Sequence, residues 1–177
     1  MPQRFKVHDG AYPHFITCTV IHWIPVFCRD DYFAILADSL IYCATHKGLQ
    51  IHGFVLMPNH WHALCSQIEG RLTDVMRDLK TYTSKGLAKK LEEDGRSIWL
   101  TAMRRAAGET AGVKVWDDHF HPEQVHTEPF FRQKLEYMHN NPLRAGFVAD
   151  PCSWKYSSAG FYYQQQESVV PITAIEW

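Results

Sequence analysis

A single domain that alternates strands and helices is the fold class the sequence predicts, and three observations carry it. The 177 residues are 46% hydrophobic and 21% charged, the balance of a globular chain long enough to bury one core and short for two. Residues 15–21, 49–57 and 60–65 are short apolar stretches rich in β-branched or aromatic residues, which suits strands. After Asp31, after Arg71 and after Thr127, apolar residues recur at three- and four-residue spacing, which suits helices with one buried face. Residues 1–150 are expected to hold the core and residues 151–177 to form a small C-terminal appendage.

In chain order, Phe15-Ile16-Thr17-Cys18-Thr19-Val20-Ile21 opens as a strand that Pro25 closes. Asp30-Asp31 can cap a first helix whose stripe is Phe33, Leu36, Leu40 and Ala44, with Gly48 as its C-terminal signal. Residues 49–57 alternate as a strand, Pro58-Asn59 marks a turn, and residues 60–65 resume as an inner strand. Leu72, Val75, Met76, Leu79, Tyr82 and Leu87 trace the buried stripe of a second helix running to about Glu93, with Lys80, Lys85, Lys89 and Lys90 off it. Residues 94–112, polar and holding Gly95, Gly108 and Gly112, are expected to form a long loop, followed by β-like pieces around Trp116 and Phe120. Thr127 can cap a third helix with Pro129 near its start and Phe131, Leu135 and Met138 as its stripe. Pro142 disfavours helical geometry in the residue before it and so ends this helix by Asn141. Beyond Pro151, the residues Trp154, Tyr156, Phe161, Tyr162 and Tyr163 form an aromatic strap expected to pack back, with a weakly ordered end after it.

Charge and cysteine content narrow the function classes. The formal net charge is −1, so the chain as a whole is no polycation. Between Arg71 and Arg105, however, nine basic residues stand against five acidic ones, a local surface for a phosphate backbone. Five cysteines (Cys18, Cys28, Cys43, Cys65, Cys152) without a Cys-x-x-Cys pair argue for reduced thiols and against a secreted disulfide scaffold. Residues 1–6 lack an apolar signal core, and the run 15–28, interrupted by His22 and Pro25, is too short to span a bilayer. A cytoplasmic protein without a membrane partner is expected.

Met57-Pro58-Asn59-His60-Trp61-His62-Ala63-Leu64 holds the first candidate site. In a strand, His60 and His62 share one face about 7 Å apart at Cα, while Trp61 and Ala63 enter the opposite layer. Two imidazoles can hold one divalent ion of the first transition row, with at least one more ligand from elsewhere. The plain reading is a pair of hydrogen-bonded histidines in a sheet. An apolar strand in which a polar side chain needs a partner, and a preceding turn that opens the strand end to a ligand, favour a site. A second pair, His119-Phe120-His121, lies between Asp117-Asp118 and Pro122 and reads first as loop chemistry.

On the third helix Tyr137 and Asn141 are four residues apart, about 40° round from each other and off the apolar stripe. The bland alternative is an interfacial Tyr and a helix-ending Asn. A phenol beside an amide suits a nucleophile with a metal ligand. A tyrosyl oxygen that attacks phosphorus stores the energy of a cleaved phosphodiester, so the strand is rejoined without a nucleotide cofactor. A divalent metal on neutral ligands polarises the non-bridging oxygens. Tyr82 is the other phenol, on a buried stripe, and Lys80 and Lys85 taken alone read as a solvated face.

Two segments, Met57-Pro58-Asn59-His60-Trp61-His62 and Tyr137-Met138-His139-Asn140-Asn141-Pro142-Leu143-Arg144-Ala145-Gly146, resemble the two signatures of the single-tyrosine HUH transposases, nearest the REP-associated tyrosine transposases. The likeness runs in order over about residues 15–158 and includes Lys80-Thr81-Tyr82-Thr83-Ser84. It implies an α+β, ferredoxin- or RRM-like fold, an antiparallel sheet packed with helices and carrying the histidine motif on a central strand. It also implies a transposase that cleaves and rejoins single-stranded DNA at hairpin elements. By the same resemblance Tyr137 attacks the scissile phosphate to give a 5′-phosphotyrosine and a 3′-hydroxyl, and His60, His62 and Asn141 bind Mg²⁺ or Mn²⁺. Arg77, Lys80, Tyr82, Thr83, Lys85 and Arg144 would contact DNA, in a monomer or a homodimer.

Two other classes stay open on the residues alone. A noncatalytic RRM-like binder of single-stranded nucleic acid would stack bases on aromatic sheet residues and ignore both Tyr137→Phe and a chelator. A structural metal site or small metallohydrolase on His60/His62 would keep any catalysis after Tyr137→Phe and form no covalent adduct.

Overall fold

The computed structural model describes residues 12–109, 112–120 and 122–177, and the backbone of residues 4–6. Its elements are β1 (Arg4–Lys6), β2 (His14–Thr19), α1 (Asp30–His46), β3 (Leu49–Leu56), β4 (His60–Gln67), α2 (Leu72–Glu93), α3 (Ser97–Ala106), β5 (Glu123–Gln124), α4 (Glu128–His139), α5 (Asn141–Arg144), α6 (Ala159–Gln164) and β6 (Ala174–Glu176). An antiparallel four-stranded sheet in the order β3-β4-β2-β5 forms the centre, and β1 pairs in parallel with β6. The expected α+β class, a sheet packed with helices, is what the chain adopts.

Strand period assigns the two faces. Ile16, Cys18, Trp61, Ala63 and Cys65 face α1 and α2, meeting Leu36, Leu40, Met76 and Leu79 in the main core. Phe15, Val55, Met57 and Leu64 face the other way, onto Phe131, Leu135 and Met138 of α4. β3 is buried along its whole length rather than on one face in alternation, because helices and the C-terminal segment cover it on every side. A register shift between Ile51 and Gly53 inserts one residue, so Ile51 and Phe54 share the main core despite their odd spacing.

Gly53 lets α4 come close. A Cβ there would lie 2.5 Å from Leu135 Cδ1 and 3.2 Å from Met138 Cε. Gly53→Val is therefore expected to lower stability by about 1–3 kcal/mol, seen as a reduced urea midpoint. An unchanged midpoint would show that α4 is not seated on this glycine.

Four expectations change. Arg29, not Asp30, precedes the first helix; Asp30 and Asp31 lie in the first turn, where their charge suits the helix dipole. Residues 94–112 are not a loop throughout: α3 occupies Ser97–Ala106 and buries Leu100 and Met103. Two buried residues on a ten-residue helix leave too short a stripe to read, and the docking supplies what the period does not. Pro142 does end α4, but as the second residue of α5 it starts a new turn, where its missing donor costs nothing. The C-terminal segment is neither appendage nor loose end, since Leu56 N donates to Tyr156 O, Ser158 N to Phe54 O and Thr173 N to Ile51 O, while Val170 and Ile172 enter the main core. The aromatic strap packs back as expected, with the Trp154 indole donating to Leu56 O. All five cysteines are free, with Cys18, Cys43 and Cys65 buried. Among the described residues no helix is long and apolar enough to cross a membrane.

Candidate active site

β4 lies between β2 and β3, so a residue at its start sits mid-sheet and at the sheet's end at once. The Pro58-Asn59 turn, closed by Met57 N donating to His60 O at 2.8 Å, places His60 there. His60 and His62 face α4, with rings 4.9 Å apart. Thr17, directly across the β2–β4 ladder, holds His62 Nδ1 at 2.8 Å through its hydroxyl. His60 Nδ1 donates to the Asn59 carboxamide oxygen at 2.7 Å, which leaves its Nε2 lone pair open. Burial lowers the pKa of His60, and burial together with the neighbouring His60 pushes His62 down to about 3. Both rings are therefore neutral at pH 7, the form in which imidazole ligates a cation.

α4 supplies the phenol. Thr127 caps it by accepting from Phe130 N, as the sequence predicts, and the Phe131/Leu135/Met138 stripe seats it on the sheet. Tyr137, beside that stripe and 46% exposed, stands with its ring 5.7 Å from the His62 ring and 6.1 Å from Phe15. Arg144 comes back from α5, donating to Tyr137 O at 2.7 Å with its guanidinium 4.6 Å over the phenol ring. Phenol, guanidinium and imidazole pair thus meet within one chain. Asn141 opens α5, and its buried Nδ2 finds no hydrogen-bond partner among the described residues. That nitrogen is a donor, with capacity for an acceptor such as a phosphate oxygen, whereas a cation would take the carboxamide oxygen. Among the described residues no three His, Cys, Asp or Glu side chains cluster as a cation site. The two neutral imidazoles, with rings 4.9 Å apart, fit a divalent ion in chemistry and leave it in need of at least one further ligand.

The other candidates fall elsewhere. Tyr82 and Thr83 exchange their expected places: Tyr82 is 69% exposed, while Thr83 is fully buried, donating to Leu79 O and accepting from the Trp116 indole. Thr83 is thus unavailable to a ligand. Arg77, Lys80 and Lys85 line a groove of about 900 Å³ between α2 and residues 112–120, away from the face that carries the histidines. Lys80 donates to Asp117 O and lies over Phe120; Arg77 pairs with Asp74 and Asp78; Lys85 is exposed, without an ion pair among the described residues. Exposed pairs of this kind are weak and exchange readily for phosphate. His119 is exposed beside Asp117, and His121 lies outside the described residues. Sequence reasoning missed Thr17 and Asn59, although the strand register required some group opposite His62.

A sheet with paired imidazoles on a central strand and a helical tyrosine above them defines a class of protein, and the family comparison agrees with it. Residues 10–103, more than half of the chain, match the family model of IS200-like transposases, and the chain belongs to that family. It is similar to the REP-associated tyrosine transposase of Escherichia coli K12, 18% identical over 140 residues that span 79% of this chain and 71% of the relative. A solved structure of a REP-associated tyrosine transposase bound to a REP hairpin shares the fold, with a TM-score of 0.65 at 16% identity over 100% of this chain and 98% of that one. The family match ends before α4, so the place of Tyr137 rests on the geometry above.

Proposed function

We propose that this transposase cleaves and rejoins single-stranded DNA at hairpin elements through a 5′-phosphotyrosine on Tyr137. The observation that carries the reading is the Tyr137 phenol lying against His62 in the same chain. In the step, the phenol gives up its proton to solvent and its oxygen bonds to phosphorus. The bond from phosphorus to the 3′-oxygen breaks, and that oxygen takes up a proton. One phosphodiester is exchanged for another, so the reverse step reseals a strand without further energy input. Arg144 sets a positive charge beside the nucleophile, where the displacement gathers negative charge. His60, His62 and Asn141 are the side chains that would hold Mg²⁺ or Mn²⁺, which when bound would neutralise the non-bridging oxygens. Thr17 and Asn59 orient the two rings for that task. Arg77, Lys80 and Lys85 would track the backbone of a bound hairpin along the α2 groove, and the exposed Tyr82, outside that groove, would offer a ring to a base. The phenol and the imidazoles pair within one chain, so a monomer suffices.

The test uses single-stranded hairpins from the DNA flanking the coding sequence, labelled at the 3′ end and incubated with Mn²⁺. Transfer of label to the protein on a denaturing gel, abolished by chelator, is the expected result. Hairpin binding without label transfer on any of them would leave the noncatalytic binder as the better reading.

A further inference from the structure

Just after β2 the chain makes a short turn over Ile21–Trp23 in which two successive bulky residues take left-handed backbone angles, His22 at φ 55° and Trp23 at φ 56°. Such angles are disfavoured for residues with large side chains, and a fold retains them where something else requires the geometry. Packing does not require it here, because His22 is exposed and Trp23 is 61% exposed. The turn is nonetheless held firmly. Val20 N donates to Asn59 O, Ile21 N to Val115 O and Trp23 N to Val20 O, and the flanking Val20, Ile24 and Val26 are buried. What the turn achieves is the position of one ring: the Trp23 indole stands edge-on to His60, with centroids 5.8 Å apart, and most of it is open to solvent.

Four rings then follow one another across the site. Tyr137 meets His62, His62 meets His60, and His60 meets Trp23. In an in-line displacement the attacking and leaving oxygens take opposite sides of phosphorus. With the phosphate over the imidazole pair and Tyr137 attacking from the His62 end, the leaving 3′-oxygen and its nucleoside extend past His60 to the indole.

We infer that Trp23 is the stacking platform for the base immediately 5′ of the scissile phosphate. It is a positioning residue that rests on the strand-transfer reading above. An exposed indole suits this task, since every base has a face to stack and stacking asks for no particular sequence.

The test takes a hairpin on which label transfer has been mapped to one phosphate and removes single bases from it. With the wild-type protein, an abasic nucleotide on the 5′ side is expected to raise the DNA concentration for half-maximal label transfer by about 10- to 100-fold, with the rate at saturation little changed. An abasic nucleotide two positions further 5′ is expected to have no such effect. Trp23→Ala should show the same loss on intact DNA and none beyond it on the abasic strand, while Trp23→Phe should recover most of the affinity. Indifference of the wild-type protein to the 5′ base overturns the inference even if the variant fails to fold, and so do additive losses. Absence of label transfer by the wild-type protein overturns the strand-transfer reading itself, and this inference with it.

Discussion

Tyr137→Phe is expected to reduce transfer of label to the protein by about four orders of magnitude or more while leaving hairpin affinity within about twofold of wild type. The substitution removes one oxygen. The ring keeps its edge contacts with His62 and Phe15 and its guanidinium neighbour Arg144, none of which needs the hydroxyl. Because the side chain is about half exposed, stability should change by less than about 0.5 kcal/mol, so any loss is chemical rather than structural. Single-turnover assays at saturating DNA, with anisotropy for binding and a urea curve for folding, separate the three quantities. A phenylalanine variant that still cuts the hairpin would assign the nucleophile to water, and His60/His62 would then belong to a hydrolase.

The histidine strand is readable because its signals are local. An apolar run, a Pro-Asn turn and a period of two place His60 and His62 on one face without knowledge of any other element. The same holds for α4, where cap, proline and stripe agree. What stays hidden depends on partners distant in sequence. Tyr82 and Thr83 are adjacent on a helix, and which of them turns inward is settled by the Trp116 indole reaching Thr83 from 33 residues away. α3 forms because α2 offers it a surface, and its own stripe is too short to announce it. The end of the chain looks loose because its composition is polar around Gln164-Gln165-Gln166, yet the backbone bonds of Tyr156, Ser158 and Thr173 tie it to β3. The left-handed turn at His22 and Trp23 has no glycine to mark it, so no pattern of residue types could show it.

Acidification is expected to weaken the fold well before its carboxylates titrate. His52 is fully buried between Thr173 O and Ser66 Oγ, and His139 between Ser158 Oγ and the Tyr163 hydroxyl. Burial pushes each down to about 4 from the ordinary 6.5. Well above pH 6.5 both rings are neutral whether the chain is folded or not, and stability is flat. Between 6.5 and about 4 the unfolded chain binds protons that the folded chain refuses, so stability drains away as pH falls. The slope is about 1.4 kcal/mol per pH unit for each ring, which brings the loss at pH 5 to about 2 kcal/mol each and about 4 for the pair. That is a large share of the roughly 5–15 kcal/mol that holds a domain together. The paired carboxylates of Asp31, Asp78 and Asp94 are held below the usual 3.8 by their Arg and Lys partners, so their contribution persists until the solution is more acid still. Urea midpoints between pH 7.5 and 5 should therefore fall steeply in the wild-type protein and less steeply in His52→Gln and His139→Gln, each variant removing close to one proton from the slope whatever it does to stability at neutral pH. Parallel slopes in all three proteins would mean that these imidazoles carry their protons into the fold. The two rings also fasten the C-terminal segment, His52 tying Thr173 to β3 and His139 tying Ser158 and Tyr163 to α4, so acid should loosen this segment early and release the Trp154 indole from Leu56 O.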